Sequence, residues 1–352
     1  MKDILEDYDF IIDVRTPSEY AHSHIPNAIN LAVLNDDEYV KIGTIYKQES
    51  PLKAKILGAS IACKNISKIL DSIPKDKALQ TILNHKNKLL IYCARGGQRS
   101  ESLCVILNHI GFRVKKLENG YKGYRNKVVE YFSTPMNHFF LTLCGHTGCG
   151  KTEIIQSQEK WSINLEALAH HYGSSFGNMA SLKGYQPTQK MFENRLFEEF
   201  CKKAPEKILL IEAESRKLGK IIIPHSLFKA YQDKIIILVQ SDLSLRIQRI
   251  VKMYQNIPEN EFFIGMEKIK PYISKNIFSE ILTLWEKKDL NKIAEILIVK
   301  YYDKVYRIPK YTHIITNNNM HTSIQEILEI KKYYESILSN KLEFNQFLSS
   351  KI

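Results

Sequence analysis

The run Cys93-Ala94-Arg95-Gly96-Gly97-Gln98-Arg99-Ser100 sets one cysteine among two glycines and two arginines, directly after the apolar stretch Lys88-Leu89-Leu90-Ile91-Tyr92. Where a buried strand turns into a helix, successive backbone N–H groups can converge on one concavity, which accepts an anion and favours a thiolate. Gly96 and Gly97 let the backbone curl without Cβ clashes, Arg95 and Arg99 add positive charge, and a helix N-terminus lowers the thiol pKa further. A lone cysteine is otherwise a core residue, but this loop has the wrong composition for a core. Cys93 is therefore the expected catalytic thiol, with Arg95, Gly96, Gly97, Gln98 and Arg99 forming its loop. A second loop, Gly145-His146-Thr147-Gly148-Cys149-Gly150-Lys151-Thr152, fits G-x4-G-K-T after the apolar run Phe139 to Cys144. Its amides would cradle a diphosphate, Lys151 would neutralise oxygens as a point charge, and the Thr152 hydroxyl could reach a magnesium ion. The expected phosphate-binding set is Gly145, Gly148, Cys149, Gly150, Lys151 and Thr152.

Acids should stand near such a loop at the end of a neighbouring strand. Ile208-Leu209-Leu210-Ile211-Glu212-Ala213-Glu214-Ser215-Arg216 supplies Glu212 and Glu214, which alternation puts on one side of an extended segment. At least one is expected to touch metal or substrate, and Arg216 could face the phosphates. Arg246 and Arg249 lie on an expected helix, Leu243 to Tyr254, whose apolar stripe is Leu243, Ile247, Ile250, Val251 and Tyr254. They suit a lid or a solvated basic face equally and are assigned no role.

These residues need elements to hold them. Phe10-Ile11-Ile12-Asp13-Val14 and Lys88 to Tyr92 read as buried strands, with a helix from Ser100 to Gly111. Further strands are expected at Phe139–Cys144, Lys207–Ile211, Lys234–Val239 and Thr312–Ile315, with helices between them. Each loop thus belongs to its own α/β domain with a parallel sheet, and the chain length suits two domains. Tyr131 to His138, with Pro135 and no periodicity, reads as a linker. The expected division is 1–134, 135–320 and a helical segment 321–352 packed on the second domain, because from Thr322 onward apolar residues recur at helical spacing.

Fifty Lys and Arg against 38 Asp and Glu leave a formal charge of +12, which attracts polyanions, nucleic acid first among them. The six cysteines include no C-x2-C pair, so neither a disulfide framework nor a structural zinc is indicated. No apolar run approaches the roughly 20 residues of a membrane helix. The acidic start Met1-Lys2-Asp3-Ile4-Leu5-Glu6-Asp7 is unlike a signal peptide, so a cytoplasmic protein is expected. The sequence carries no signal of oligomeric state.

Two chemistries fit the first loop. C-x5-R, met by Cys93 and Arg99, is the spacing of cysteine phosphatases, whereas a rhodanese-type loop carries sulfur or selenium on the cysteine. The flanks decide between them. Asp13-Val14-Arg15-Thr16-Pro17-Ser18-Glu19-Tyr20 with His24-Ile25-Pro26-Asn27-Ala28-Ile29-Asn30 resembles the first rhodanese signature, and Gly111-Phe112-Arg113-Val114 through Glu118-Asn119-Gly120-Tyr121-Lys122-Gly123-Tyr124 resembles the last. Ser23 stands where that family usually has Gly, a turn position outside the chemistry.

A rhodanese-like domain followed by a P-loop NTPase-like domain resembles the tRNA 2-selenouridine synthase family. Gly43-Thr44-Ile45-Tyr46-Lys47-Gln48, the Cys93 loop, Leu165-Glu166-Ala167-Leu168-Ala169-His170-His171-Tyr172-Gly173-Ser174-Ser175-Phe176-Gly177, Gln186-Pro187-Thr188-Gln189, Glu212 to Arg216 and Tyr301-Tyr302-Asp303 all look like that family's motifs. Asn164 departs from an expected acid, Tyr172 from an expected Arg, and Cys149 from the commoner Ser or Ala. The resemblance implies a selenotransferase that replaces the sulfur of wobble 2-thiouridine in tRNA with selenium. The route it implies runs through an S-geranyl intermediate, with geranyl diphosphate and selenophosphate as substrates, no tightly bound cofactor, and magnesium at the P-loop if any metal. From Met266 to Tyr311 there are 10 Lys and Arg against 6 Asp and Glu, interleaved with Tyr272, Phe278, Trp285, Tyr301, Tyr302, Tyr306 and Tyr311, a bias that suits tRNA contact. The alternatives are a sulfurtransferase, a kinase or phosphatase using one loop alone, and a non-enzymatic sulfur carrier or RNA-binding adaptor.

Overall fold

The computed structural model describes residues 7–174, 176–177, 185–232 and 235–339. Contacts divide the chain into two units. One comprises Met1–Tyr131 with Lys190–Cys201, the other Phe132–Gln189 with Lys202–Ile352. Both are α/β with parallel main sheets, as the alternation of apolar runs with helical patterns leads one to expect.

In the first unit the strands β1 (Phe10–Asp13), β2 (Ile29–Asn30), β3 (Lys88–Tyr92) and β4 (Arg113–Lys116) form a sheet in the order β2-β1-β3-β4, every pair parallel. Leu89, Leu90, Ile91 and Tyr92 of β3 are all buried, because an interior strand covered on both faces must be apolar throughout. Helices α1 (Pro17–His22), α2 (Asp36–Gln48), α3 (Pro51–Ser72), α4 (Lys77–Ile82), α5 (Gln98–His109) and α6 (Gly120–Ser133) follow in chain order. A capping box starts α1, with Thr16 and Glu19 exchanging side-chain and backbone bonds. The unit also includes most of the helix Gln189–Lys202, and Tyr124 and Tyr131 set their rings edge-on to its Phe197.

That packing corrects the expected linker. Tyr131, Phe132 and Ser133 belong to α6, since Tyr124, Val128 and Tyr131 recur at helical spacing on a buried or half-buried face, and only the residues after Ser133 lack regular structure. The helix expected from Ser100 begins two residues earlier, at Gln98, with Gly97 as its N-cap.

The second unit carries β5 (Phe139–Cys144), β6 (Ser162–Ile163), β7 (Ile208–Glu212), a short antiparallel ribbon β8 (Lys217–Leu218) and β9 (Ile221–Ile222), β10 (Ile235–Gln240) and β11 (His313–Thr316). The main sheet runs β11-β10-β5-β7-β6, all parallel, so β5 is central and its six residues are buried. The helices used below are α7 (Lys151–Ser157), α8 (Leu165–Ala169), α9 (His225–Gln232), α10 (Leu243–Tyr254), α11 (Glu259–Ile269), α12 (Lys275–Glu286), α13 (Leu290–Leu297) and α14 (Met320–Ser339). The C-terminal helix packs as its periodicity predicts: Ile327 and Tyr334 sit in one core with Phe139, Trp161 and Ile208. Residues 340–352 of the expected tail, Lys234 and Ser175 lie outside the described residues. A separate core, with Phe262, Met266, Ile281, Ile293 and Leu297, joins α11, α12 and α13. Among the described residues no helix is long and apolar enough to cross a membrane.

Candidate functional site

Cys93 follows interior strand β3, at the end of a parallel sheet where crevices form. Its Sγ accepts hydrogen bonds from the Gly97 N–H and the Ser100 hydroxyl, both at 3.2 Å. Burial alone would push this thiol up, but the Ser100 hydroxyl and the N–H groups of Ser100, Arg95 and Gly97 outweigh it and hold Cys93 below the ordinary thiol value. Two other buried cysteines go the other way, because burial outweighs their neighbours: Cys104 rises to about 12 and Cys144 to about 11. The last rhodanese-like motif holds this loop from behind. Tyr121 and Lys122 donate backbone bonds to the carbonyls of Cys93 and Ala94 at 2.9 Å. Gly120 has φ +52°, and a Cβ there would drive into the Cys93 carbonyl, so only glycine fits.

The first motif does structural work. Arg15 donates to both Asp13 carboxylate oxygens and to the Ser23 carbonyl, Tyr92 donates to Asp13, and the Arg15 guanidinium lies 4.0 Å from the centre of the Tyr121 ring. Ser23 has extended backbone at φ −172°, which explains why a residue other than glycine serves there. Arg99 is bound to Glu19, at 2.6 Å from Oε2, and its guanidinium lies over the Tyr39 ring. A phosphatase needs that fork for the substrate, so the pairing favours the rhodanese-type reading of C-x5-R. The side chains of Arg95 and Gln98 lie at the loop with no bonds to the Cys93 sulfur.

The Gly145–Thr152 loop connects central strand β5 to α7, whose N-cap Gly150 has φ +90°. Its carbonyls are tied from outside. Arg246 donates to Thr147 O at 2.9 Å, Arg249 to Gly148 O at 3.3 Å, and Asn317 to Cys149 O at 2.9 Å. That leaves N–H groups to face the concavity, the arrangement an anion requires. Cys149 is 1% exposed and its Sγ lies 3.7 Å from Lys151 Nζ, so the thiol that stands in place of Ser or Ala meets the lysine while the backbone donors of the cradle are kept. Lys151 Nζ folds onto Gly145 O at 2.7 Å. Burial works against its charge, but Cys149, Tyr306, Glu214 and Glu166 outweigh this and hold the lysine above its ordinary value.

Glu212 ends β7 beside β5, paired in register with Leu143, and joins Glu214 and Glu166 in a cluster whose carboxylate oxygens lie within 4.8 Å of one another. The strand ends at Glu212, and a tight turn in which the Glu214 N–H bonds the Glu212 carbonyl at 3.0 Å, not strand alternation, sets Glu214 beside it; Glu166, on α8, completes the group. Thr152 donates its hydroxyl to Glu166 at 3.0 Å, and the Glu166 N–H reaches Glu212 at 3.4 Å. Glu212 is fully buried and one of its oxygens has no partner. Burial raises all three acids, and repulsion from Glu166 adds to the rise at Glu212 and at Glu214, the latter to about 8. Three crowded oxygen ligands and a threonine hydroxyl suit a hard divalent cation. Gly173, at φ +64°, lies against Glu214 and Glu166 where a Cβ would collide with both. Arg216 is exposed at the turn into β8, with no side-chain hydrogen bond among the described residues.

The family named tRNA 2-selenouridine synthase AAA domain matches residues 138–282, and the rhodanese-like domain family matches residues 1–127. The tRNA 2-selenouridine synthase of Shewanella oneidensis is 30% identical over 95% of this chain and 86% of its own. That of Alcanivorax borkumensis is 34% identical over 72% of this chain and 68% of its own, and that of Nitrosomonas europaea 33% over 69% and 63%. The chain belongs to the tRNA 2-selenouridine synthase family.

Contacts in the structure account for residues that the sequence reading left open. Arg246 and Arg249 are neither lid nor solvated face: Arg246 is buried, forks onto Asp303 at 2.9 and 2.5 Å, and with Arg249 grips the loop of this enzyme. Asp303 was quoted only as part of a motif, yet it also sits 3.2 Å from His146 Nδ1. The helical amphipathicity of α10 was legible, but which loop its arginines reach depends on the sheet order. Asn164 caps α8 by accepting from Ala167 at 2.8 Å, a role that needs no acid. Tyr172 packs edge-on to Tyr254. Of the aromatics between Met266 and Tyr311, Tyr272 and Tyr311 are exposed; Trp285 stacks on Phe262 at 3.8 Å and Tyr301 is in the core. The lysines and Arg307 of that region are exposed.

Proposed function

We propose that the enzyme replaces the sulfur of wobble 2-thiouridine in tRNA with selenium through an S-geranyl intermediate, with geranyl diphosphate held at Gly145–Thr152 and selenophosphate serving the Cys93 loop. The observation that carries this reading is the pairing, in one chain, of a hydrogen-bonded thiol of lowered pKa with a diphosphate cradle flanked by acids. Thiocarbonyl sulfur is a poor leaving group. In the first step the sulfur attacks C1 of the geranyl chain, the C1–O bond breaks, diphosphate departs and the uridine loses its N3 proton. Loop amides and Lys151 stabilise the charge that develops on the departing diphosphate. A magnesium ion, held by Thr152, Glu166, Glu212 and Glu214, would supply further Lewis-acid stabilisation there. In the second step the selenium of selenophosphate adds to C2, geranyl thiol leaves with a proton, and water cleaves the Se–P bond so that phosphate departs. The loop of Cys93 receives the selenophosphate anion at its N–H groups, with the thiolate beside it.

The tRNA is held by the exposed basic residues from Lys268 to Lys310, with Tyr272 and Tyr311 available to stack on bases. The phosphatase reading is disfavoured by the Arg99–Glu19 pair. The test is nucleoside mass spectrometry of 2-thiouridine tRNA incubated with the protein. Geranyl diphosphate alone should yield the S-geranyl nucleoside, and further addition of selenophosphate should yield 2-selenouridine. Selenation at full rate with no prenyl diphosphate present would reject the intermediate.

A further inference from the structure

Beside the diphosphate cradle lies a partly open cavity with almost wholly apolar walls. It begins at Thr147 of the loop and Ser174, and runs between Ile250, Tyr254, Trp285 and Ala294. The half-buried aliphatic side chains of Ile250 and Val251 on α10 line this space. Few polar groups stand on its walls: the Ser174 and Tyr254 hydroxyls bond each other at 3.1 Å, and the other hydroxyls are those of Thr147 and Tyr302. A purine would bring ring nitrogens and an exocyclic group to walls that are mainly apolar, whereas a hydrocarbon chain asks for no hydrogen-bond partner there.

Two features tie this cavity to the loop. Helix α10 grips the loop carbonyls through Arg246 and Arg249, and the same helix lines the cavity with Ile250, Val251 and Tyr254. Gly173 lies against the carboxylates, and Ser174 and Phe176 line the cavity. Gly265 of α11 accommodates the Phe176 ring, which a Cβ at that position would displace.

We infer that this cavity is the binding site for the apolar chain of an allylic diphosphate, so that the α10–α13 pocket, with Ala294 and Ile250 on its walls, sets which chain length the loop accepts. The inference rests on the geranyl reading above and adds to it the residues that recognise the chain. The experiment measures KM for prenyl diphosphates of five, ten and fifteen carbons with 2-thiouridine tRNA, together with the Kd of inorganic diphosphate, in wild type, Ala294→Leu and Ile250→Ala. Narrowing by Ala294→Leu should raise KM for the ten-carbon substrate about tenfold or more, the discrimination that a methylene-scale change in an apolar pocket gives. Diphosphate affinity and the five-carbon substrate should be unaffected. Widening by Ile250→Ala should move preference toward fifteen carbons. An unchanged chain-length profile in both variants, while wild type geranylates, overturns the pocket assignment and leaves the geranyl reading standing. ATP competing with diphosphate more tightly than geranyl diphosphate does would also overturn it. If wild type transfers no prenyl group from any of the three substrates, the geranyl reading itself fails.

Discussion

The Cys93 sulfur is the group on which the first half of the account turns, and its low pKa comes from neighbours that can be removed singly. The Ser100 hydroxyl donates to it at 3.2 Å. In Ser100→Ala the thiolate loses a donor while burial is retained, so the pH midpoint of Cys93 alkylation should move upward; an unchanged midpoint would show that backbone amides alone set the value. The acids of the second unit titrate in the opposite sense. Glu212 and Glu214 have folded values raised above the usual 4.5, Glu214 to about 8, so the folded state holds extra protons in that window. Their contribution to stability is therefore present at low pH and lost as pH rises toward 8. Glu212→Gln should raise the thermal midpoint at pH 8 by a few degrees and flatten its pH dependence, and it should lose most of any stabilisation that magnesium gives wild type. Equal magnesium stabilisation of both proteins, read by calorimetry, would remove Glu212 from the cation site.

At the scale of elements, the parallel sheets carry the strand ends to the places where the chemistry is needed. Gly120 begins α6 directly behind the Cys93 loop, at a φ that favours glycine and with no room for a methyl group. Gly120→Ala should destabilise the fold by roughly 1–3 kcal/mol, seen in urea unfolding, and should slow selenation more than geranylation. What the sequence showed and what it hid follow from the range of the interactions. Strands β3 and β5 were legible residue for residue, because strands buried on both faces are written as continuous apolar runs. Helix α10 was legible from its stripe. The end of α6 was hidden because Pro135 and the turn formers after Ser133 masked a helical face that packs on a segment some 65 residues away. Glu166 was in view as a letter but not as a ligand, since a lone acid on a five-residue helix gains meaning only when β6 pairs with β7. The basic grip of Arg246 and Arg249 on the loop was likewise a product of sheet order, with β10 placed next to β5.

At the scale of the whole molecule, a net charge of +12 and exposed lysines between Lys268 and Lys310 predict that tRNA binding is driven by counterion release. The logarithm of the binding constant should fall with the logarithm of salt by roughly 0.7 to 0.9 per phosphate contacted; affinity constant between low and physiological salt would remove these residues from the interface. The same chain joins two anion-accepting loops in two units, and the account holds that each performs one half of a two-step exchange. A crossover of two variants, followed by nucleoside mass spectrometry, tests that claim most directly. Cys93→Ser nearly keeps the side-chain volume but cannot form a thiolate near neutral pH, so with geranyl diphosphate it should make the S-geranyl nucleoside as wild type does, then stall when selenophosphate is added. Lys151→Ala should make no S-geranyl nucleoside, yet convert tRNA supplied already geranylated to 2-selenouridine. If Cys93→Ser forms 2-selenouridine at the wild-type rate, Cys93 is a structural thiol and the division of labour between the loops is wrong.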